Sequence, residues 1–440
     1  MIIDFTATNF RSIKEPQTFS MYVEKVGNTL TENVAFPTNP KDIANNNIGV
    51  LKIAGIYGAN ASGKSNLFKA LRALCYIVTD AGDLKDGELI DYYEPFLLSA
   101  NTKHSPVKFE IEFFTHTSQR FIYSVAFSSH HIVQESLFLF TSSSKSKLFD
   151  RKEHDTWKDI SFGNAYKGGK KQFALFSNNS YLSKAGNSAD SPQIIREVYN
   201  YLRRGLLFIS ANDIPEAKNF IKHHQIIDQV ALMIKNVDTG IEKIEFEDVE
   251  IDDKDDKYEF VKSLPEKVRK KFLEDQKTKI VFSHKTEEGA LEKFSIDLES
   301  DGSRAMFNLF PAMIFVFNIG GVLVFDEIEK NLHPHIVELM IKLFNDPQVN
   351  TKNAQLLFTS HNVQLMSSDF LRRDQIWFIE KKNGASEFTC LTSFDKDTVR
   401  ANSPFGSWYS EGRFGAIPVI NYLKIAQELN KSILRDNNDA

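Results

Sequence analysis

The sequence has few cysteines, no excess of positive charge and no export segment at its start. Cys75 and Cys390 lie far apart without metal-type spacing, which excludes a disulfide framework or a zinc site and favours buried thiols. The net charge of -5 argues against a general basic coat for nucleic acid, so DNA binding stays an unproven alternative. The opening MIIDFTATNFRS carries Asp4 and Arg11 and alternates like a strand, so it is not a signal peptide. We therefore expect a cytoplasmic protein.

Long hydrophobic runs are also scarce. The one run that is long enough to suggest a membrane span, residues 306–325, is interrupted by Pro311 and two asparagines, and Gly320-Gly321 marks a turn. We predict a helix before this turn, the buried strand Val322 to Phe325 after it, and no membrane partner. No heptad array is long enough for an SMC-type coiled coil, which counts against chromosome tethering.

The stretch GANASGKSN fits the phosphate-binding loop pattern G-x-x-x-x-G-K-[ST]. Residues 51–57 have the pattern of a buried strand and residues 64–78 that of a helix, which is the order the motif requires. Backbone N–H groups at the helix start would face the β-phosphate, Lys64 would bridge the β- and γ-phosphates, and the Ser65 hydroxyl would ligate Mg²⁺. The predicted loop residues are Gly58, Ala59, Asn60, Ala61, Ser62, Gly63, Lys64, Ser65 and Asn66.

The apolar strand Val322 to Phe325 ends in Asp326 and Glu327, which is the Walker B pattern. Phosphoryl transfer needs one carboxylate for the Mg²⁺ shell and a second to polarise the attacking water. We assign Asp326 to the metal and Glu327 to the water.

Two further motifs stand in the order expected around Walker B. The short strand LLFTSH delivers His361 after it, and we interpret this histidine as a γ-phosphate sensor. Upstream, LESDGSRAMFNLF places Ser300, Gly302 and Ser303 at a helix start, where small and hydroxylated residues can bind a phosphate. Because the P-loop of the same chain lies elsewhere, this signature is expected to serve the nucleotide of a second subunit.

Taken together, these motifs resemble the ABC-type ATPases of the SMC/RecF-like and overcoming-lysogenisation-defect-like group. ATNFRSIKEP, the P-loop, SDGSR, VFDEIEKNLHP and FTSHN occur in that group's order. The later stretches RRDQIWFIEKK and YSEGRFGAIPVI resemble the stand-alone ATPases of bacterial phage-defence operons, including RloA-type proteins and the ATPase subunit of the PARIS system.

The resemblance implies an ATPase that uses ATP and Mg²⁺ and forms a homodimer or higher oligomer, with two nucleotides sandwiched between P-loop and signature. Residues 331–334 (NLHP) would match the D-loop that crosses the pair. It also implies a separate effector protein encoded nearby, for which a Toprim-type nuclease is one candidate, and a phage-derived trigger. The sequence departs from the group at Glu299 and Asp301 of the signature and shows no convincing Q-loop glutamine, so we expect slow hydrolysis.

The interval between the P-loop and Walker B is expected to hold inserted lobes. VKFEIEFF and RFIYSVAF alternate with period two around THTSQ, which predicts an antiparallel β-lobe. The later pattern is helical, as in FIKHHQIIDQVALMIKNV. We predict an α/β fold: an ABC-type P-loop NTPase head with an antiparallel β-lobe and a helical insertion. The predicted divisions are 1–100 (first half of the ATPase core), 101–190 (β-lobe), 191–290 (mainly helical insertion) and 291–440 (second half of the core).

The acidic run EFEDVEIDDKDDKYE, residues 245–259, raises the alternative of a two-metal nuclease. We favour a solvated surface because two lysines interleave with the acids. Two functions remain open: the ATPase sensor and scaffold of an anti-phage system, and a RecF-like DNA-repair or DNA-end ATPase.

Overall fold

The computed structural model of the chain describes residues 1–23, 30–37, 48–141, 144–210, 217–237, 239–249, 265–266, 269–270, 272, 277–395, 398–400, 402–418 and 420–436. The strands among them are β1 (Ile2–Thr8), β2 (Gln17–Ser20), β3 (Val34–Ala35), β4 (Val50–Leu51), β5 (Ile53–Tyr57), β6 (Val107–Phe114), β7 (Arg120–Phe127), β8 (Ile132–Thr141), β9 (Ser144–Arg151), β10 (Ser161–Phe162), β11 (Leu206–Ser210), β12 (Ile241–Asp248), β13 (Thr278–Lys285), β14 (Leu291–Ser295), β15 (Val322–Asp326), β16 (Gln355–Thr359), β17 (Ile376–Lys382) and β18 (Ala385–Cys390). The helices are α1 (Lys64–Thr79), α2 (Tyr181–Gly186), α3 (Gln193–Arg204), α4 (Ala217–His224), α5 (Ile227–Lys235), α6 (Asp301–Ile319), α7 (Pro334–Asn345), α8 (Phe405–Ser410) and α9 (Tyr422–Asp436).

The sheet that carries the predicted P-loop has the strand order β11-β15-β16-β5-β17-β18. All neighbours in it run parallel except β18, which pairs antiparallel with β17. Ala54 and Ile56 of β5 belong to one hydrophobic core, and Ile53 and Tyr57 belong to a second core on the opposite face. A strand buried on both faces requires a continuous apolar run, which is the pattern of this stretch. The carboxyl ends of β5, β16 and β15 therefore lie side by side at one edge.

An antiparallel sheet with the order β10-β9-β8-β7-β6-β1-β2 forms the β-lobe. Strands β6 and β7 coincide with the predicted hairpin segments. The lobe also takes in the start of the chain, because β1 pairs antiparallel with both β6 and β2. A division at residue 100 therefore does not separate the two sheets.

The segment 191–290 is mixed rather than mainly helical. It contains α3, α4 and α5, but β11 enters the P-loop sheet beside β15. Strands β12, β13 and β14 form an antiparallel sheet of their own. Ile280 and Phe282 alternate along β13 and are buried in the second core, so a period-two pattern was present in this segment.

The apolar run from Met306 to Phe325 folds as predicted into a helix, a turn and a strand. α6 ends at Gly320, whose φ of 64° suits glycine, and β15 follows at Val322. Within the described residues, no helix has the length and apolarity needed to cross a membrane.

Candidate nucleotide site

The predicted P-loop connects the end of β5 to the start of α1. Gly63, directly before α1, has a φ of 110°, in the region that favours glycine. A Cβ on Gly63 would lie 2.2 Å from Ser386 Oγ, and one on Gly58 would lie 2.3 Å from the carbonyl oxygen of Ile379. Close approach therefore requires both glycines, and the loop delivers its backbone to a helix N-terminus, where phosphates bind.

Two serines to which the sequence analysis assigned no role, Ser12 and Ser386, anchor the loop through hydrogen bonds. Ser386 on β18 donates from Oγ to the carbonyl oxygen of Ser62 at 2.6 Å, and its backbone N–H donates to the Ser12 carbonyl at 2.7 Å. The Asn66 side-chain amide donates to Ser12 Oγ at 2.7 Å. These bonds fix the loop to the segment after β1, within the quoted motif ATNFRS. Their partners are distant in sequence, so no local pattern identifies them.

Lys64 is buried inside the loop that it is predicted to serve. Its side chain is 7% exposed, and Nζ donates to the carbonyl oxygens of Gly58 at 2.8 Å and Ala59 at 3.1 Å. Burial lowers the pKa of Lys64, and the nearby carboxylates of Asp326 and Glu329 oppose that shift. The ammonium is thus already positioned where an anionic ligand of the loop would need it.

The Walker B aspartate is held by a hydroxyl on the neighbouring strand. Thr359, the last residue of β16, donates from Oγ1 to Asp326 Oδ1 at 2.6 Å. The same Oγ1 accepts the backbone N–H of Glu327 at 2.7 Å. One buried hydroxyl therefore sets the positions of both acids. Thr359 lies within the quoted motif FTSHN, but its role depends on the pairing of β15 and β16, which sequence spacing does not reveal.

Glu327 adopts a backbone conformation that is unusual for its residue type. Its φ is 58°, in the left-handed region, where a non-glycine residue is strained by about 1–3 kcal/mol. The side chain is 45% exposed, and its Oε2 lies 3.8 Å from the ammonium of Lys330. Strain of this kind persists only where surrounding contacts enforce it, and here the bond from the Glu327 N–H to Thr359 does so.

His361 follows β16 and joins this group. Its backbone N–H donates to Glu329 Oε1 at 2.6 Å. This hydrogen bond links the residues that follow β15 to the residues that follow β16. Burial lowers the pKa of the His361 imidazole, and the positive charge of Lys64 lowers it further. The carboxylates of Glu329, Glu327 and Asp326 act in the opposite direction. The structure thus brings together Lys64, Asp326, Glu327 and His361, whose roles stay predictions, and adds Glu329.

The closing motif YSEGRFGAIPVI begins at the end of α8, which packs behind the histidine segment. A Cβ on Gly406 of α8 would lie 2.4 Å from the carbonyl oxygen of Val363. Tyr409 stacks on Phe378 of β17 with ring centroids 5.3 Å apart, and its hydroxyl donates to the Ala416 carbonyl at 3.0 Å. This part of the chain is therefore built into the second hydrophobic core, which also contains Ile53 and Tyr57 of β5.

The predicted signature forms the start of α6. Ser300 caps the helix, with Oγ accepting the backbone N–H of Ser303 at 3.0 Å, and the two hydroxyls lie 2.9 Å apart. Gly302 faces the predicted D-loop, since a Cβ on it would lie 3.5 Å from the Asn331 carbonyl oxygen. Glu299, immediately before the cap, is buried and bonded to His284 Nε2 at 2.7 Å. The signature hydroxyls thus bond within their own turn, beside the D-loop.

The residues at the P-loop fit a nucleotide phosphate. Ser62 Oγ is buried and makes no hydrogen bond in the described part of the chain. Gly58 and Gly63 allow the tight loop conformation that brings its backbone to the N-terminus of α1. Ser65, in the first turn of α1, and Asp326 would hold Mg²⁺ together with phosphate oxygens. Such a site needs few protein ligands, and no group of three or more His, Cys, Asp or Glu suited to a metal occurs in the described ranges. Residues 250–259 of the acidic run lie outside those ranges.

Several clefts open on the described surface. One of about 540 Å³ lies beside the P-loop and is lined in part by Arg11, Ser12, Leu97 and Gly384. A larger one of about 790 Å³ lies on the β-lobe, around Trp157. Neither of these two clefts is lined by a predicted site residue.

Comparison with known proteins gives a family and a set of structural likenesses. The family described as "AAA domain, putative AbiEii toxin, Type IV TA system" matches residues 53–367. Solved structures to which the chain is similar include the SMC head domain from Thermotoga maritima, with 13% identity, 88% of this chain and 98% of that chain covered, and a TM-score of 0.38. The recombination mediator protein RecF in its ATPrS form has 10% identity, with 89% of this chain and 98% of that chain covered and a TM-score of 0.37. RecF in its ATP form has 12% identity, with 88% of this chain and 97% of that chain covered and a TM-score of 0.38. No curated protein matches the chain.

The family match spans the P-loop, the signature, Walker B and the histidine segment, and β5, β15 and β16 place all but the signature at one sheet edge. The chain belongs to this AAA domain family and has the α/β fold of an ABC-type P-loop ATPase.

Proposed function

We propose that the protein is the ATP-binding and ATP-hydrolysing sensor and scaffold subunit of a bacterial anti-phage system. In this proposal two copies pair head to head around ATP and control a separate toxic effector. The observation that carries the ATPase part is the convergence of Lys64, Asp326, Glu327 and His361 on one edge of the sheet.

Each residue has a role that its surroundings support. Lys64 would offset the charge of the β- and γ-phosphates, and Asp326 and Ser65 would hold Mg²⁺, which would supply Lewis-acid stabilisation of the phosphates. Glu327 accepts a proton from the attacking water, and His361 contacts the γ-phosphate. Thr359 keeps Asp326 and Glu327 in register with each other.

In this proposal, slow hydrolysis and pairing around ATP make the protein a switch rather than a motor. The Glu327 carboxylate is half-exposed beside Lys330 and not enclosed within its own subunit. Gly302 lies beside Asn331 of the D-loop, so signature and D-loop form one continuous patch. A second copy that covers this patch would exclude water and complete the site, which links the bound nucleotide to the paired state.

The defence context rests on two resemblances. The matching family is described in terms of a toxin of a type IV toxin–antitoxin system. The stretches RRDQIWFIEKK and YSEGRFGAIPVI resemble RloA-type and PARIS-type defence ATPases. We propose that the effector is encoded nearby, with a Toprim-type nuclease as one candidate, and that a phage component triggers its release.

The test uses cells that carry the gene with its neighbouring genes. Wild-type and Lys64→Ala strains are challenged with a panel of phages, and the tagged protein is purified to identify copurifying effectors. We expect protection and an ATP-dependent effector complex in the wild type, and neither in the variant. Equal plating of every phage on both strains, together with ATPase activity stimulated by duplex DNA, would instead favour the RecF-like DNA-repair function.

A further inference from the structure

A third acid, Glu329, lies in the site three residues after Asp326. Its Oε1 accepts the backbone N–H of His361 at 2.6 Å. Its Oε2 is buried and has no hydrogen-bond partner among the residues that the structure describes. Neither the family match nor the sequence motifs give this side chain a role.

The surroundings of Glu329 separate it from Glu327. Glu327 is half-exposed beside Lys330, whereas one oxygen of Glu329 is bonded to the histidine segment and the other is enclosed. An enclosed and already bonded carboxylate is poorly placed to take a proton from an incoming water. It is well placed to fix the geometry of its neighbour.

The link from Glu329 completes a set of cross-connections between two segments. The Ile328 N–H donates to the Thr359 carbonyl at 3.1 Å, and the Glu327 N–H donates to Thr359 Oγ1 at 2.7 Å. Those two bonds stop at the end of β16. Only the bond from Glu329, among those described, extends past the strand to the backbone of His361.

A tyrosine at the end of β5 lies in the same buried region. Tyr57 is 1% exposed, and its hydroxyl has no hydrogen-bond partner in the described part of the chain. Burial raises the pKa of Tyr57, and the carboxylate of Glu329 raises it further. The Tyr57 hydroxyl is therefore near enough to Glu329 to be affected by its charge.

We propose that Glu329 is a positioning residue that sets the place of His361 through its hydrogen bond to the His361 backbone. Glu329 thereby couples the Walker B segment to recognition of the γ-phosphate. This inference rests on the proposed function, in which His361 distinguishes ATP from ADP.

The experiment measures equilibrium binding of ATP and ADP in the Glu327→Gln background, where hydrolysis does not interfere. Glu329→Ala and Glu329→Leu both remove the acceptor, and Glu329→Gln keeps an acceptor oxygen while it removes the charge. We expect the preference for ATP over ADP to fall on the order of tenfold in the Ala and Leu variants, the size of one charge-assisted hydrogen bond. Glu329→Gln should restore most of the preference.

The matched control is His361→Ala, alone and combined with Glu329→Ala. If Glu329 acts through His361, the double variant loses no more preference than His361→Ala alone. Additive losses, or a Gln variant as weak as Ala, would mean that the Glu329 charge acts directly and would overturn the proposal. ADP affinity and the melting temperature report folding of each variant, and the Leu variant fills the volume that Ala leaves empty.

Failure of this inference is distinguishable from failure of the proposed function. If Lys64→Ala binds ATP like the wild type, the nucleotide site itself is misassigned. If Lys64→Ala loses ATP but Glu329→Ala and Glu329→Leu keep the full preference for ATP, only the positioning role is refuted.

Discussion

Replacing Thr359 with valine tests how far one buried hydroxyl organises the site. The side chain is 0% exposed, and valine has nearly the same shape but can neither donate to Asp326 nor accept from Glu327. A hydrogen bond to a charged group contributes about 1.5–3 kcal/mol and a neutral one about 1 kcal/mol. We therefore expect Thr359→Val to cost about 3 kcal/mol in total, shared between folding and transition-state stabilisation.

The assay separates those two shares. Phosphate release measured against Mg-ATP concentration should show kcat reduced on the order of tenfold or more, with a smaller change in KM because the P-loop contacts are untouched. Thermal unfolding should show a lower melting temperature. Thr359→Ser is the matched control, because it keeps the hydroxyl and loses one buried methyl, about 1 kcal/mol. If the Ser and Val variants have the same kcat, the hydroxyl does not organise the site and our account of Asp326 and Glu327 is refuted.

Three further predictions concern the loop, the histidine and the signature. Gly63→Ala should abolish nucleotide binding in a dialysis assay and lower the melting temperature, because its Cβ would lie 2.2 Å from Ser386 Oγ at a φ of 110°; normal binding would contradict the loop geometry. The pKa of His361 is lowered by burial and by Lys64, so below the usual histidine pKa the unfolded state binds more protons than the folded state. The free energy of unfolding should therefore fall as the pH drops from the usual histidine pKa towards the lowered pKa of the folded state. Titration by NMR, with His361→Gln for assignment, should show a pKa below the ordinary value that rises when Mg-ATP binds; a pKa that ATP leaves unchanged would argue against contact with the γ-phosphate. Mixing the Lys64→Ala and Gly302→Asp variants should restore part of the ATP hydrolysis if the signature acts across subunits, because both substitutions then fall on one composite site and leave the other intact. No recovery, together with no ATP-dependent crosslinking between subunits, would contradict a dimer with ATP sandwiched between P-loop and signature.

Local patterns predicted the elements whose neighbours in space are also neighbours in sequence. The strand, loop and helix from Ile53 to Thr79 and the hairpin of β6 and β7 follow from periodicity and glycine placement. The helix–turn–strand around Gly320 follows in the same way. These elements depend on short-range spacing, which a sequence displays directly.

Elements defined by long-range strand pairing were harder to predict from the sequence. β11 joins the P-loop sheet through β15, more than a hundred residues later, and β1 joins the lobe through β6. The alternating pattern in β12 and β13 borders the acidic run, and there the charged residues obscured the buried positions.

The candidate site shows the same division. Lys64, Asp326, Glu327 and His361 stand in recognisable motifs, so the sequence proposed them and the structure brings them together. Thr359 lies in a quoted motif without a predicted role. Its role, like that of Glu329, exists only because β15 and β16 are adjacent. Hydrogen bonds across strands are a property of the fold and leave no mark in residue spacing.

The central claim, that ATP held by the P-loop pairs two copies of the chain, has one direct measurement. The mass of the Glu327→Gln variant is followed by light scattering with Mg-ATP, with Mg-ADP and without nucleotide, and Glu327→Gln combined with Lys64→Ala serves as the control. The account predicts a mass of at least two chains with ATP only, lost in the control. A mass that stays constant while bound ATP is demonstrated in the same sample would contradict it.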